Sequence, residues 1–128
     1  MLSTPTKHAL RALLELATYD DSGFVSVETL AENADIPQPY LSKIVKVLAN
    51  HGLVETKRGV RGGVKLARTS ISFLEVAEAF QDPLLFDQCL LSSKACQKDE
   101  PCPFHEYWSS ERGKIRTFLE STKVRADS

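Results

Sequence analysis

Four side chains in the last third of the chain carry its most pointed chemistry: Cys89, Cys96, Cys102 and His105. The cysteines are three in number and all lie between positions 89 and 102 of a 128-residue sequence. An odd, clustered set fits a metal or redox site better than a disulfide framework. Thiolates are soft ligands, suited to zinc and to iron–sulfur clusters. Structural zinc sites commonly draw cysteines in pairs about two to four residues apart. Here six residues separate Cys89 from Cys96 and five separate Cys96 from Cys102. Such wide, irregular spacing suits a loop wrapped around a larger inorganic core. Three thiolates leave one coordination position to fill, and His105, three residues beyond Cys102, is the nearest nitrogen. The competing readings are free thiols, a switchable disulfide or zinc for the cysteines, and a surface imidazole near a helix start for His105. A mixed thiolate–imidazole site is more easily oxidised, protonated or lost than one of four thiolates, which suits a sensor.

The elements around this segment have to position it. Residues 88–103 are polar and show no clear periodicity, so they read as a loop. On its N-terminal side, Ser72-Phe-Leu-Glu75 is a capping box opening a helix that carries Val76, Ala77 and Phe80 and ends at Asp82-Pro83. On its C-terminal side Pro103 opens a last helix, with Phe104, Trp108, Ile115, Phe118 and Leu119 as an apolar stripe. An amphipathic helix past the rest of the fold needs a partner surface. A two-fold contact between copies, through Trp108, Ile115, Phe118 and Leu119, is the simplest expectation.

The first half of the chain reads as a helix-turn-helix followed by a hairpin. Thr4 is placed to cap a first helix, with Pro5 in its first turn and Ala9, Leu10, Leu13, Leu14 and Ala17 at helical spacing. Phe24-Val25 forms a short strand and Ser26 caps a second helix bearing Leu30, Ala31 and Ala34. Asp35-Ile-Pro-Gln-Pro39 breaks the chain before a third helix, Tyr40 to about Asn50. Its Leu41, Ile44, Val45 and Leu48 face one way, and Gln38, Ser42, Lys43, Lys46 and Asn50 the other; Gly52 suits a left-handed cap. Strands at Leu53–Thr56 and Val64–Leu66 then flank Lys57-Arg58-Gly59-Val60-Arg61-Gly62-Gly63. A loop with three cations and three glycines on a hairpin after a helix-turn-helix is a wing: glycine permits close approach to DNA, and arginine grips phosphate or probes a groove. Gln38, Pro39, Tyr40, Ser42, Lys43 and Lys46 would read the major groove, and Lys57, Arg58, Gly59, Arg61, Gly62 and Gly63 would make the wing contacts.

Charge supports this. The net charge of −1 conceals a block from Pro37 to Arg68 with seven basic residues against Glu55 alone. That is the footprint expected for phosphate contact. No paired-acid site, phosphate loop or Ser/His/Asp arrangement is present, so an enzyme is not expected. The length suits one domain with an appended arm. The sequence shows no apolar run of the roughly 20 residues a membrane span needs. It also shows no basic region followed by an apolar stretch and a cleavage site near Met1, so a cytoplasmic protein is expected.

The assembled pieces resemble the Rrf-two (IscR/NsrR-type) family of bacterial winged-helix regulators. The match is carried by His8-Ala-Leu-Arg-Ala-Leu13, Ile36-Pro-Gln-Pro-Tyr-Leu41, Gly52-Leu-Val-Glu-Thr-Lys-Arg-Gly-Val-Arg-Gly-Gly63 and the cysteine triplet. It covers nearly the whole chain. The resemblance implies a homodimer built on the last helix and binding double-stranded operator DNA, with an iron–sulfur cluster in the preceding loop. The 2Fe-2S form, completed by His105, is preferred to 4Fe-4S. In other members the fourth ligand comes from elsewhere, including the partner's N-terminal region, where this chain has Lys7 and His8. The chain departs from the family at His8, where tyrosine is usual, and at Val64, where an aromatic is. Val60-Arg61 also stands where proline or glycine is usual. The expected architecture is mainly α with a small β-hairpin wing: a winged helix-turn-helix over 1–82, a cysteine-bearing loop over 83–103, and a dimerisation helix with its tail over 104–128.

Overall fold

The computed structural model describes residues 2–19, 23–85 and 105–124, with only the main chain at His105. Cys89, Cys96, Cys102, Pro103 and Phe104 lie outside the described residues, as does the His105 side chain. The elements are α1 (Thr4–Leu16), α2 (Val27–Ala34), α3 (Gln38–Asn50), β1 (Val54–Lys57), β2 (Gly63–Leu66), α4 (Phe73–Ala79), a 3-10 turn at Pro83–Leu85, and α5 (His105–Ser121). Mainly α with a small antiparallel hairpin is the architecture expected.

Three amphipathic helices build the core. Leu13 of α1, Leu30 of α2, and Leu41 and Leu48 of α3 are each at most 1% exposed. Their helices pack pairwise, so each buried stripe covers the other two. Burying one such side chain stabilises by about 1.5–3 kcal/mol. Ser26 caps α2, its hydroxyl accepting from the Thr29 amide at 3.1 Å. Asp35 closes α2 in the left-handed region, at φ 56° and ψ 52°. Arg11 holds this turn from outside. Its guanidinium donates to the carbonyls of Ala34 at 2.6 Å and Asp35 at 3.1 Å, taking up orphan carbonyls at the helix end. The angle between α2 and α3 therefore depends on a residue of α1.

Helix starts differ from expectation in two places. Ser3, rather than Thr4, is the N-cap of α1, and it makes no side-chain cap bond. Its amide and hydroxyl instead donate to Oδ2 of Asp82, at 2.8 and 2.9 Å. Helix α3 begins at Gln38 rather than Tyr40, so Pro39 lies within the first turn, where its missing N–H costs nothing. The capping box at Ser72 and Glu75 forms as expected, and Gly52 takes φ +71°.

The hairpin pairs Val54 with Leu66, Glu55 with Lys65, Thr56 with Val64 and Lys57 with Gly63. Val25 adds a third rung on the far edge of β2, exchanging hydrogen bonds with Val64 at 2.8 and 2.7 Å. At the other end of the molecule the chain following α5 returns to α4: the Phe73 amide donates to the Thr122 carbonyl at 2.9 Å and the Val124 amide to that of Ile71 at 2.8 Å. Val124 joins the main core. Leu119 of α5 is also buried, at 3% exposure, and α5 packs against α4 and the 3-10 turn.

Candidate nucleic-acid interface

The buried stripe of α3 fixes which residues it offers outward. With Leu41, Ile44, Val45 and Leu48 inside, the opposite side presents Gln38, Pro39, Tyr40, Ser42, Lys43, Lys46 and Asn50, all exposed. Tyr40 is 58% exposed, far more than a tyrosine serving only to pack. Beside this helix a cleft of about 600 Å³ opens between α1, α3 and α4, lined by Pro5, His8, Tyr40, Lys43, Val47 and Phe80 among others.

The wing presents the second surface. Lys57, Arg58, Gly59, Val60 and Arg61 are exposed. The Gly62 amide donates to the Gly59 carbonyl at 3.0 Å, making a four-residue turn with Val60 and Arg61 at its corners. Two glycines set how tightly the wing is drawn in. A Cβ on Gly62 would stand 2.1 Å from the Lys57 carbonyl oxygen, and one on Gly63, at φ +146°, 2.1 Å from that of Val25. The base of the wing is steadied by Phe24, over whose ring lie the ammonium groups of Lys65 at 5.1 Å and Lys57 at 5.9 Å.

The electrostatics match the sequence block. Lys65 pairs with Glu55 at 3.5 Å and Arg68 pairs with Glu75. Among the described residues Lys43, Lys46, Arg58 and Arg61 have no acidic partner. Unpaired cations on one helix face and one hairpin are free to neutralise phosphate. The structure thus brings the expected residues of α3 and the wing onto two exposed, adjoining elements. Sequence reasoning missed Arg11 and the Phe24-Val25 buttress. The former acts across 23 positions, which no local pattern reveals. The latter was read as a short strand, but its pairing with β2 was not.

Cys89, Cys96 and Cys102 are outside the described residues, and His105 is placed by its main chain as the first residue of α5. Among the described residues no group of three or more His, Cys, Asp or Glu side chains could hold a metal. Of the four residues expected at a dimer contact, Phe118 is 59% exposed and Trp108 and Ile115 are half-buried. Leu119, the fourth, is 3% exposed within its own chain. Tyr107, 75% exposed, was not picked out from the stripe and extends the open face. Among the described residues no helix is long and apolar enough to cross a membrane.

Comparison with known proteins places these features in context. The Rrf2 family profile, described as an iron-dependent transcriptional regulator, matches residues 2–126. A protein of Aquifex aeolicus named as an HTH-type transcriptional regulator is 33% identical over 129 residues, spanning 98% of this chain and 89% of its own. Among solved structures, CymR, the global cysteine regulator of B. subtilis, superposes with a TM-score of 0.79 at 26% identity, covering 97% of this chain and 92% of its own. T. potens IscR does so with a TM-score of 0.75 at 26% identity, covering 97% and 82%.

Proposed function

The chain belongs to the Rrf2 family of winged-helix transcriptional regulators, and from that premise we propose that it is a homodimeric, cytoplasmic repressor whose grip on operator DNA is set by an iron–sulfur cluster held by Cys89, Cys96, Cys102 and His105. The chain is a DNA-binding regulator and not an enzyme. The observation that carries the finer reading is the donor set itself: three thiolates and an imidazole within 17 residues, directly ahead of the helix that leaves its apolar side open.

In this reading Gln38, Pro39, Tyr40, Ser42, Lys43 and Lys46 enter the major groove. Lys57, Arg58, Gly59, Arg61, Gly62 and Gly63 follow the adjoining backbone and minor groove. Trp108, Ile115 and Phe118 meet their counterparts in a second copy, setting two recognition helices about one DNA turn apart. The donor set fits a two-iron cluster, with a four-iron form as the alternative. Cys89, Cys96, Cys102 and His105 would hold the cluster, which would supply redox-labile ligation whose loss would release the 88–103 loop. Lys43 and Arg58 neutralise phosphates whatever the state of the cysteines. Their replacement by alanine is expected to weaken duplex binding about threefold to tenfold each, and to reduce the salt dependence by roughly one counterion each, read by titration at several salt concentrations. Unchanged affinity in both variants would remove the assigned DNA face.

Likeness to CymR, a global cysteine regulator, favours a second reading in which the same thiols act by disulfide chemistry or bind zinc. Purification under anoxic conditions separates the two. The cluster reading expects a coloured protein with near-stoichiometric iron and sulfide, bleached by changing the three cysteines to serine and altered in spectrum or lifetime by His105→Ala. A colourless protein with titratable thiols, or one loaded with zinc, would transfer the assignment to the second reading.

A further inference from the structure

Val60 breaks two local rules at one spot. It is 105% exposed, the most open large apolar side chain among the described residues. It also occupies a corner of the Gly59–Gly62 turn, a position more often held by Gly, Pro, Asn, Asp or Ser. Nothing in the fold needs it. Val60 touches no core residue, and the turn is held by glycines drawn against the Lys57 carbonyl on one side and the Val25 carbonyl on the other. A single exposed valine is unremarkable on an ordinary surface. This one stands at the tip of a hairpin, beside Arg61 and one residue from Arg58, both exposed and without an acidic partner among the described residues.

We propose that Val60 is a specificity-determining wedge that enters the minor groove and part-opens a flexible pyrimidine–purine step of the bound duplex. The inference rests on the DNA-binding reading and deepens it. Arg58 and Arg61 hold the phosphates on either side. The tip between them offers the groove an uncharged side chain with no hydration to lose. Apolar wedges act in this way where proteins kink DNA toward the major groove, and the cost of unstacking depends on the step being opened. Val60 therefore confers preference at a position where it makes no hydrogen bond.

The test uses the full-length protein and a duplex it selects from a randomised pool, with 2-aminopurine placed in turn at the minor-groove positions it protects. Wild type and Val60→Leu are expected to raise the fluorescence at one TpA or CpA step. Val60→Asn and Val60→Ala should leave it dark and bind about tenfold more weakly. On the same duplex with a stiff ApA step at that place, the four proteins should differ by no more than about twofold. Melting temperatures should coincide, since the side chain is fully exposed. Equal affinities on both duplexes, or an equal loss on both without a fluorescence change, would overturn the wedge while leaving DNA binding intact. Failure of the wild type to select any duplex would instead overturn the underlying reading along with it.

Discussion

Replacing Gly63 with alanine should release the wing from the body of the protein. The new Cβ would stand 2.1 Å from the Val25 carbonyl oxygen and close to the Ser26 amide, both backbone atoms that cannot swing aside. The residue also holds φ +146°, which an L-alanine adopts only under strain. To relieve the clash, the Phe24-Val25 segment has to leave β2. That breaks the two hydrogen bonds between Val25 and Val64 and draws Phe24 from beneath Lys57 and Lys65. The expected loss is about 3 kcal/mol. For a chain of this length that lowers the melting temperature by roughly 10 °C. Duplex affinity should fall as well, because the cations of the wing lose their fixed distance from α3. Gly23→Ala is the control: nothing lies within 4 Å of its Cβ position, and its melting temperature should stay close to that of wild type. A Gly63→Ala protein as stable as wild type would show that the buttress is not what seats the wing.

Asp82 is the second position of large effect, and here the consequence is a pH dependence. Its carboxylate is fully buried. Oδ2 accepts from the Ser3 amide at 2.8 Å, the Ser3 hydroxyl at 2.9 Å and the Thr6 hydroxyl at 2.7 Å; Oδ1 accepts from the Leu84 amide at 3.0 Å. Burial pushes its pKa up, but the hydrogen bonds from Thr6, Ser3 and Leu84 together outweigh it and leave the group below the usual aspartate value. A carboxylate with a lowered folded pKa contributes stability above its unfolded value. That contribution disappears as pH falls through the folded one. Asp82→Ala strands several buried donors and should cost about 3 kcal/mol at neutral pH; Asp82→Asn, which keeps the shape, about 2 kcal/mol. In acid-induced unfolding the gap between wild type and the asparagine variant should narrow below about pH 4. A gap that persists unchanged into strong acid would mean that the charge is not what the cluster of donors stabilises.

Both positions show how far sequence alone can be followed. Gly63 was legible as a wing residue because glycine beside cations on a hairpin has a local meaning. The atom it must avoid belongs to Val25, 38 positions earlier, and only the fold supplies that. Asp82 was read as the stop of a helix, as the pair Asp82-Pro83 suggests. Its real partners, Ser3 and Thr6, are 79 and 76 positions away. The same non-local bond explains why Ser3, the first N-cap, makes no side-chain cap bond: its hydroxyl is engaged by Asp82. Short-range patterns fared better. The stripe of Leu41, Ile44, Val45 and Leu48 is buried as its spacing implied, and the Ser72–Glu75 capping box forms. Leu119 shares a helical stripe with Phe118 and Ile115, but periodicity cannot say where along a stripe one neighbour ends and another begins. Its burial within its own chain was therefore out of reach.

The attachment of α5 at its C-terminal end has a mechanical consequence. Thr122 is bonded to the start of α4 and Val124 to Ile71 just ahead of it, and Leu119 is buried, while Tyr107 stands exposed. Seventeen residues of helix reach about 25 Å. A tilt of about 10° around the Thr122 end therefore swings the other tip by about 4 Å, close to one rung of the DNA ladder. In the proposed dimer, a shift of that size at the His105 end would change how the two copies hold their recognition helices.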